Sequence, residues 1–189
     1  ISSYQLSVEP GSALASLMEK GAWNEAADDV CEAQYSRLCQ ALKSAGYHHY
    51  EISNFALPGY EAVHNSAYWR HVPYVGLGPG AHSFLADGAM VRKWNEPDLT
   101  RYEKAMAAGD LSLVQGGETL DEEQIAIEKI MLALRTSEGV SESYLLDKCL
   151  ASKVEDALAC GNLVRTGHGS IRIPEEKFFV SDGTISSIL

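Results

Sequence analysis

The sequence predicts an α/β protein: a first part that belongs to a larger sheet or barrel, then a small α+β domain. Two observations support this fold class. A strand, a long helix and a second strand follow one another over about fifty residues, the pattern of a parallel βαβ unit. From residue 119 onwards the pattern changes to three short helices and a β-ribbon, as in a winged helix. A lone βαβ unit cannot bury its sheet, so further strands are expected upstream of Ile1.

The elements of the βαβ unit are read from hydrophobic spacing and turn residues. They are a strand over 3–8, a short helix over 12–20, an amphipathic helix over 24–45 and a strand over 47–52. In the long helix, Asn24 is the expected N-cap and Gly46 the residue just past the end. The chain opens within a strand-like pattern and without methionine, so we expect it to be a piece of a longer protein.

The middle of the chain is predicted from its turn signals. The expected elements are a strand over 74–77, a hairpin turning at Asp87-Gly88, a helix over 98–108 and a linker over 109–118. Between them, Gly76, Gly78 and Gly80 form a loop whose lack of Cβ atoms allows close approach of a ligand. The linker contains three glycines and separates a barrel portion, 1–108, from a second domain, 119–189.

The second domain is predicted as three helices and a ribbon. Thr119-x-x-Glu122 has the form of a capping box and opens a helix that runs through Arg135. Its inward residues are expected to be Ile127, Ile130, Met131 and Leu134. Two further helices are expected over 141–149 and 151–160, followed by a two-stranded ribbon over 163–173.

Charge and cysteine usage exclude several function classes. The net charge is −11 with a pI near 4.9, and residues 119–189 carry seven Lys or Arg against twelve Asp or Glu. We therefore expect no nucleic-acid partner, because phosphate contacts need clustered cations. No apolar run reaches membrane-span length and no signal peptide is visible, so a cytoplasmic protein is expected. Cys31 and Cys39 lie eight apart on a helical pattern and are expected to be buried thiols.

Residues 47–83 hold five of the six histidines, interleaved with aromatic rings and turn residues. Side chains that stack, ligate metals and donate hydrogen bonds converge here, as in a pocket for a flat aromatic ligand. An aromatic-rich core wrapped around turns accounts for the same composition. Composition alone does not decide between these two interpretations.

His64 is the strongest ligand candidate in this stretch. In His64-Asn65-x-x-Tyr68-Trp69 an imidazole is followed by an amide and two large rings. Haem iron takes His or Tyr as an axial ligand, and Tyr68 and Trp69 suit a porphyrin face. The competing interpretation is a loop anchored by Trp69, with His64 hydrogen-bonded nearby. The other histidines are expected at the surface or in loops: His48, His49, His71 and His168.

Several motifs in one order resemble a known family. They are Tyr50-Glu51-Ile52-Ser53-Asn54-Phe55-Ala56, Pro58-Gly59, His64-Asn65-x-x-Tyr68-Trp69 and Tyr74-x-Gly76-x-Gly78-x-Gly80-Ala81-His82-Ser83. The chain resembles the C-terminal half of the radical S-adenosylmethionine (SAM) proteins known as oxygen-independent coproporphyrinogen III oxidases. Among these proteins, the chain is similar to the heme chaperone branch, HemW. The motif His-Asn-x-x-Tyr-Trp distinguishes that branch from the oxidases. The resemblance covers essentially the whole chain.

The resemblance implies a fold, cofactors and site residues. The fold is the C-terminal part of a partial TIM-like barrel followed by a winged-helix domain. The family carries a [4Fe–4S] cluster on an upstream cysteine loop that this sequence lacks, so the chain itself is expected to bind no cluster and no other metal. Ser7 and His82 match positions that line the S-adenosylmethionine pocket, and no catalytic residue is assigned. His64 is the matching haem contact, with Tyr68 and Trp69 beside it.

The predicted function is haem binding and delivery to an acceptor protein, by the C-terminal fragment of a HemW-like protein. The first alternative is a true coproporphyrinogen III oxidase of porphyrin biosynthesis, whose branch lacks the His-Asn-x-x-Tyr-Trp motif. The second alternative is a stand-alone protein-interaction module. Expected partners are haem, a haem acceptor and the missing N-terminal half of the barrel, and self-association is expected where that half is absent.

Overall fold

The computed structural model describes residues 1–189 as eight α-helices and three small antiparallel sheets. The helices are α1 Ala13–Glu19, α2 Asp28–Ser44, α3 Val63–Trp69, α4 Leu99–Ala108, α5 Glu122–Ala133, α6 Glu142–Lys148, α7 Ala151–Ala159 and α8 Ser181–Ile188. The strands are β1 His48–Glu51, β2 Asn54–Ala56, β3 His82–Asp87, β4 Ala89–Asn95, β5 Gln115–Thr119, β6 Val140–Ser141, β7 Val164–Arg165 and β8 Ser170–Arg172. Short 3₁₀ helices cover Leu111–Leu113 and Glu175–Val180. No helix is long and apolar enough to cross a membrane.

The predicted parallel βαβ unit is wrong. Strand β1 pairs with β2 in an antiparallel hairpin, with His48 opposite Ala56. The segment 3–8 belongs to no strand, and the N-terminus adds only an antiparallel bridge between Ser2 and Asn54. Two residues separate β1 from β2, too short a connection for a parallel crossover, and the segment 3–8 finds no strand in this chain to pair with.

The central sheet has the order β3-β4-β5. The predicted hairpin at Asp87-Gly88 is confirmed, with Asp87 opposite Ala89. The predicted strand over 74–77 is reduced to a single bridge between Tyr74 and Phe84.

The predicted linker 109–118 is corrected by the structure, because most of it is built into secondary structure. Its first part contains the 3₁₀ turn and its last residues form β5, which pairs with β4 and continues to Thr119. Gly116 stands opposite Trp94, and a Cβ atom there would collide with the indole ring. This glycine therefore provides room for a ring packed across the sheet rather than flexibility.

Helix boundaries follow the caps. Helix α1 is capped by Ser12, whose hydroxyl accepts from the Ala15 amide at 3.1 Å, as the predicted range implies. Helix α2 begins at Asp28, so Asn24 is not its N-cap. The capping box of α5 is formed by Asp121 and Gln124, two residues beyond the predicted pair, because Thr119 still belongs to β5.

The main hydrophobic core lies in the C-terminal part. It consists of twelve buried residues: Ile130, Leu134, Val140, Leu145, Val154, Ala157, Leu163, Ile171, Ile173, Phe178, Ile185 and Ile188. Three of them come from residues 175–188, for which no element was predicted. Ile127, expected to face inward, is 39% exposed, and Cys31 and Cys39 are only partly buried.

The order of elements after residue 121 follows the prediction of three helices and a ribbon. Helices α5, α6 and α7 precede β7 and β8, and β6 pairs with β8 as a third strand. That residues 119–189 form a winged helix, and that residues 1–108 form part of a barrel, are still predictions.

We expect the chain to self-associate through its first part. Neither α1 nor α2 has a fully buried residue, whereas Tyr4, Leu6 and Leu77 are 71%, 62% and 88% exposed. Apolar surface on this scale favours association because contact removes it from water. Light scattering over a concentration series should show growing mass. A constant monomer mass up to high concentration would contradict this expectation.

Candidate functional site

The candidate haem residues lie on α3, a two-turn helix between the β1–β2 hairpin and Tyr74. His64 and Tyr68 are four residues apart, hence neighbours on one face. The Tyr68 hydroxyl lies 2.7 Å from His64 Nε2, and the two rings meet edge to face with centroids 4.9 Å apart. Tyr68 also meets Tyr74 edge to face at 4.6 Å. An imidazole and two phenol rings thus form one continuous row.

The surroundings of this row are exposed and apolar. His64 is exposed, and Val63 beside it and Tyr60 before the helix are 83% and 81% exposed. Beyond Tyr74, Val75 is 68% exposed. An accessible imidazole flanked by apolar side chains fits a flat macrocycle with a metal centre, which needs one axial donor and apolar contacts to its faces. These residues therefore fit haem.

The opposite face of α3 is anchored by a buried carboxylate. Asn65 donates from Nδ2 to Glu51 Oε1 at 3.1 Å, and the Ser53 amide donates to Glu51 Oε2 at 3.0 Å. Asn54 donates to the same carboxylate, and Glu51 is only 1% exposed. Side-chain amides and a backbone amide thus satisfy a charge that burial would otherwise make costly. The amide of the His-Asn pair holds the helix to the β1–β2 hairpin.

Trp69 does not join the row of rings. A residue five positions along a helix is rotated by about 140° from the first, whereas one four positions along is rotated by about 40°. Trp69 accordingly lines a cavity of about 770 Å³ between α3, the β1–β2 hairpin and the segment 133–144. Its indole Nε1 is buried without a hydrogen-bond partner. The structure thus brings His64 and Tyr68 together and places Trp69 apart from them.

Two histidines expected at the surface or in loops have buried side chains. His49 is 5% exposed and stacks on Phe55 with ring centroids 4.0 Å apart. The side chain of His71 is 7% exposed, and its Nε2 lies 3.1 Å from a Glu128 carboxylate oxygen. His71 also has a φ of 56°, unusual for a residue with a side chain. No feature of the sequence indicated this burial, because it results from packing against residues that are distant in the sequence.

Burial shifts the protonation of both rings. It lowers the pKa of His49 and that of His71 below the ordinary histidine value of 6.5. For His71, the nearby charges of Lys129 and Arg92 lower the pKa further. Both imidazoles are therefore neutral at pH 7.

We expect the free energy of unfolding to fall as the pH drops below about 6.5. The unfolded chain takes up protons at His49 and His71 near that pH, whereas the folded chain takes them up only at lower pH. Each group contributes at most about 1.4 kcal/mol per pH unit in that window. Denaturant unfolding between pH 7.5 and 5.5 measures the slope. His71→Gln should flatten it and His168→Ala, at an exposed histidine, should not; equal slopes in all three proteins would refute this origin.

The residues matched to the S-adenosylmethionine pocket lie on separate elements. Ser7 is exposed in the irregular N-terminal segment, where its hydroxyl donates to Glu9 Oε1 at 3.3 Å. His82 begins β3 and is exposed, with its ring 6.3 Å from that of Trp94. Gly76 serves a close approach within the protein, because a Cβ atom there would collide with the His82 backbone. No hydrogen bond joins Ser7 to His82.

The cysteines do not fit an iron–sulfur cluster. Two lie on α2 and two near the ends of α6 and α7, whereas a cluster needs convergent thiolates. No group of three or more His, Cys, Asp or Glu side chains is arranged to hold a metal ion.

Glu51 is the site residue that sequence reasoning passed over. Its signal was an acidic residue inside a strand flanked by aromatic and apolar residues.

Comparison with curated proteins finds relatives that match most of this chain. No family model matches the chain. It is 34% identical over 152 residues to the mitochondrial radical S-adenosyl methionine domain-containing protein 1 of Danio rerio, covering 76% of this chain and 33% of that protein. It is 33% identical over 178 residues to the heme chaperone HemW of Mycobacterium tuberculosis (strain ATCC 25618 / H37Rv), covering 90% and 44% respectively. The chain thus spans a third to under half of the relatives it matches.

A solved structure shares the fold. The chain superposes on coproporphyrinogen III oxidase (HemN) from Escherichia coli, a radical SAM enzyme, with a TM-score of 0.57 and 16% identity. The match covers 80% of this chain and 39% of the other. The likeness confirms the α/β content of the fold class.

Proposed function

Because this chain belongs to the HemW-type family of radical S-adenosylmethionine proteins, we propose that it forms the haem-binding part of a protein that delivers haem to acceptors. The observation that carries the proposal is the exposed row of His64, Tyr68 and Tyr74 beside exposed apolar side chains. Relatives at 33% identity bear the name heme chaperone, which agrees with this chemistry.

The role of His64 follows from its accessibility together with its neighbours. A ligand to iron needs a lone pair that can be reached from solvent, which excludes His49 and His71. Among the exposed histidines, His64 is the one that lies in a row with Tyr68 and Tyr74. Nε2 is shared with the Tyr68 hydroxyl, so coordination through Nε2 requires that hydroxyl to move away. Losing one neutral hydrogen bond costs only about 1 kcal/mol, so the Tyr68 hydroxyl is a weak competitor for Nε2.

Delivery needs a ligand held loosely enough to leave. A haem seated on an exposed helix face keeps one side open to a second protein, whereas a fully enclosed haem has no such access. Tyr68 supplies both a ring contact and a hydroxyl that competes for His64 Nε2. This competition favours release as well as capture.

Titration with ferric haem tests the proposed function. We expect a saturable shift of the Soret band at one haem per chain, and transfer of that haem to an added apo-haem protein. A protein-interaction module with no ligand would give no stoichiometric shift. A coproporphyrinogen oxidase fragment would bind coproporphyrinogen in preference to haem. Either of these results would overturn the proposal.

A further inference from the structure

His71 has a backbone conformation that only glycines adopt elsewhere in this chain. Helix α3 ends in a Schellman-type turn, in which the His71 amide donates to the Tyr68 carbonyl at 3.0 Å. The Val72 amide donates to the Ala67 carbonyl, also at 3.0 Å. Such a turn needs a residue with a positive φ, and the φ of His71 is 56°. The other residues with a positive φ are all glycines, including those just past the ends of α1, α2, α4 and α7: Gly21, Gly46, Gly109 and Gly161. Glycine would therefore serve this turn with less strain than histidine does.

The side chain of His71 contacts two other elements. Its ring centroid lies 4.2 Å from that of Phe84 on β3, and its Nε2 lies 3.1 Å from a carboxylate oxygen of Glu128 on α5. Because the imidazole is neutral at pH 7, its one proton lies on Nε2 and is donated to this carboxylate. Glu128 also pairs with Arg92 of β4, which lies 3.1 Å from Glu118 of β5. Glu128 thus joins the end of α3 to α5 and to the central sheet.

Helix α3 depends on such contacts. It has seven residues, no side-chain hydrogen bond at its N-cap and no fully buried residue. A helix of this length is not stable by itself in water. Its first turn is attached to the β1–β2 hairpin through Asn65 and Glu51, and the turn that ends it is attached to α5 through His71 and Glu128. Two carboxylates from different parts of the chain therefore fix the helix that carries His64.

We propose that His71 is a positioning residue of the haem site, which holds the end of α3 to Glu128 and so fixes the row of rings relative to the C-terminal part of the chain. The inference rests on the proposed function, since the row of rings matters to a ligand that binds it. It accounts for a strained histidine where glycine would suffice, because the turn needs a positive φ and the attachment needs a side chain. Coupling between sites is reciprocal. A change that separates Glu128 from His71 therefore weakens haem binding, and bound haem strengthens their contact by the same factor.

Replacing His71 by glycine separates the turn from the attachment. His71→Gly suits the backbone of the turn and removes only the side-chain contacts, so the helix end is kept while its link to Glu128 is lost. In an optical titration with ferric haem, we expect His71→Gly to bind more weakly than the parent chain by about fivefold or more. Glu128→Ala should also weaken binding. The double variant should bind no more weakly than Glu128→Ala alone, because both substitutions remove the same contact.

Two further variants distinguish positioning from a general loss of structure. His71→Gln keeps a side-chain donor for the carboxylate and should bind haem more tightly than His71→Gly. Glu123→Ala, at an exposed glutamate of the same helix α5, should bind as the parent does. Denaturant unfolding establishes that each variant is folded.

The titrations separate failure of this inference from failure of the proposed function. A parent chain without a Soret shift would overturn the proposed function and this inference with it. If the parent binds haem and His71→Gly binds it equally tightly, or if His71→Gln binds no better than His71→Gly, the positioning role is wrong and the proposed function stands.

Discussion

Replacing His64 by alanine is expected to weaken haem binding by at least tenfold and to move the Soret band. A tenfold loss corresponds to about 1.4 kcal/mol, a small part of a bond between iron and imidazole. The loss should be large because no second exposed imidazole stands in the same row of rings: Tyr68 and Tyr74 are its other members. Optical titration with ferric haem gives the dissociation constant of each protein.

The matched control is His168→Ala, which removes an exposed histidine from the turn between β7 and β8. It should bind haem as the parent chain does. Tyr68→Phe removes the hydroxyl that contacts Nε2 while keeping the ring, so it should retain or tighten binding. Equal affinities of His64→Ala and His168→Ala, or loss of the spectrum in Tyr68→Phe alone, would show that His64 is not the ligand.

Replacing Leu145 by alanine is expected to lower the free energy of unfolding by about 2–5 kcal/mol. Leu145 on α6 is 0% exposed and belongs to the twelve-residue core. Its removal loses the transfer free energy of the side chain and leaves a cavity that close-packed neighbours cannot fill. Denaturant unfolding monitored by circular dichroism measures the loss.

Leu150→Ala provides the control for this substitution. It makes the same chemical change five residues away, at a leucine that is 66% exposed. Surface changes of this kind alter stability by about 0.5 kcal/mol or less. If both variants unfold at the same denaturant concentration, the C-terminal core does not hold this part together as the packing indicates.

Local chemistry made several elements predictable from the sequence. Asp87-Gly88 between apolar runs specifies a tight hairpin, and the structure has that hairpin. Helix α4 ends at Gly109, which has a φ of 70° that glycine adopts without strain. In each case the deciding residues are neighbours in the sequence, so no distant partner could change the outcome.

The sequence-based predictions were wrong where residues distant in the sequence determine the local structure. Whether the strand at 48–51 pairs in parallel or antiparallel depends on which strand reaches it, and here that is β2. Helix α8 was missed because its sequence contains Gly183 and several serines, poor helix formers. Packing of Ile185 and Ile188 into the core overrides that weak propensity.

Part of the candidate site could also be predicted. The motif residues His64 and Tyr68 are in contact, as a helix at that position would require. Treating Trp69 as their partner overlooked the rotation between positions four and five along a helix. The cavity behind α3 needs the whole fold, because its lining residues come from two distant segments, 48–71 and 129–144. The Glu51 carboxylate was overlooked although its partners Ser53, Asn54 and Asn65 lie nearby in the sequence.

Ligation of haem iron by His64 is tested most directly by pulsed electron paramagnetic resonance of the ferric haem complex, prepared with ¹⁵N-labelled histidine. We predict a hyperfine coupling from one histidine ¹⁵N nucleus that persists in His168→Ala and disappears in His64→Ala. A complex of the parent chain without any histidine coupling, or a coupling that survives in His64→Ala, would contradict the assignment of His64 as the haem ligand.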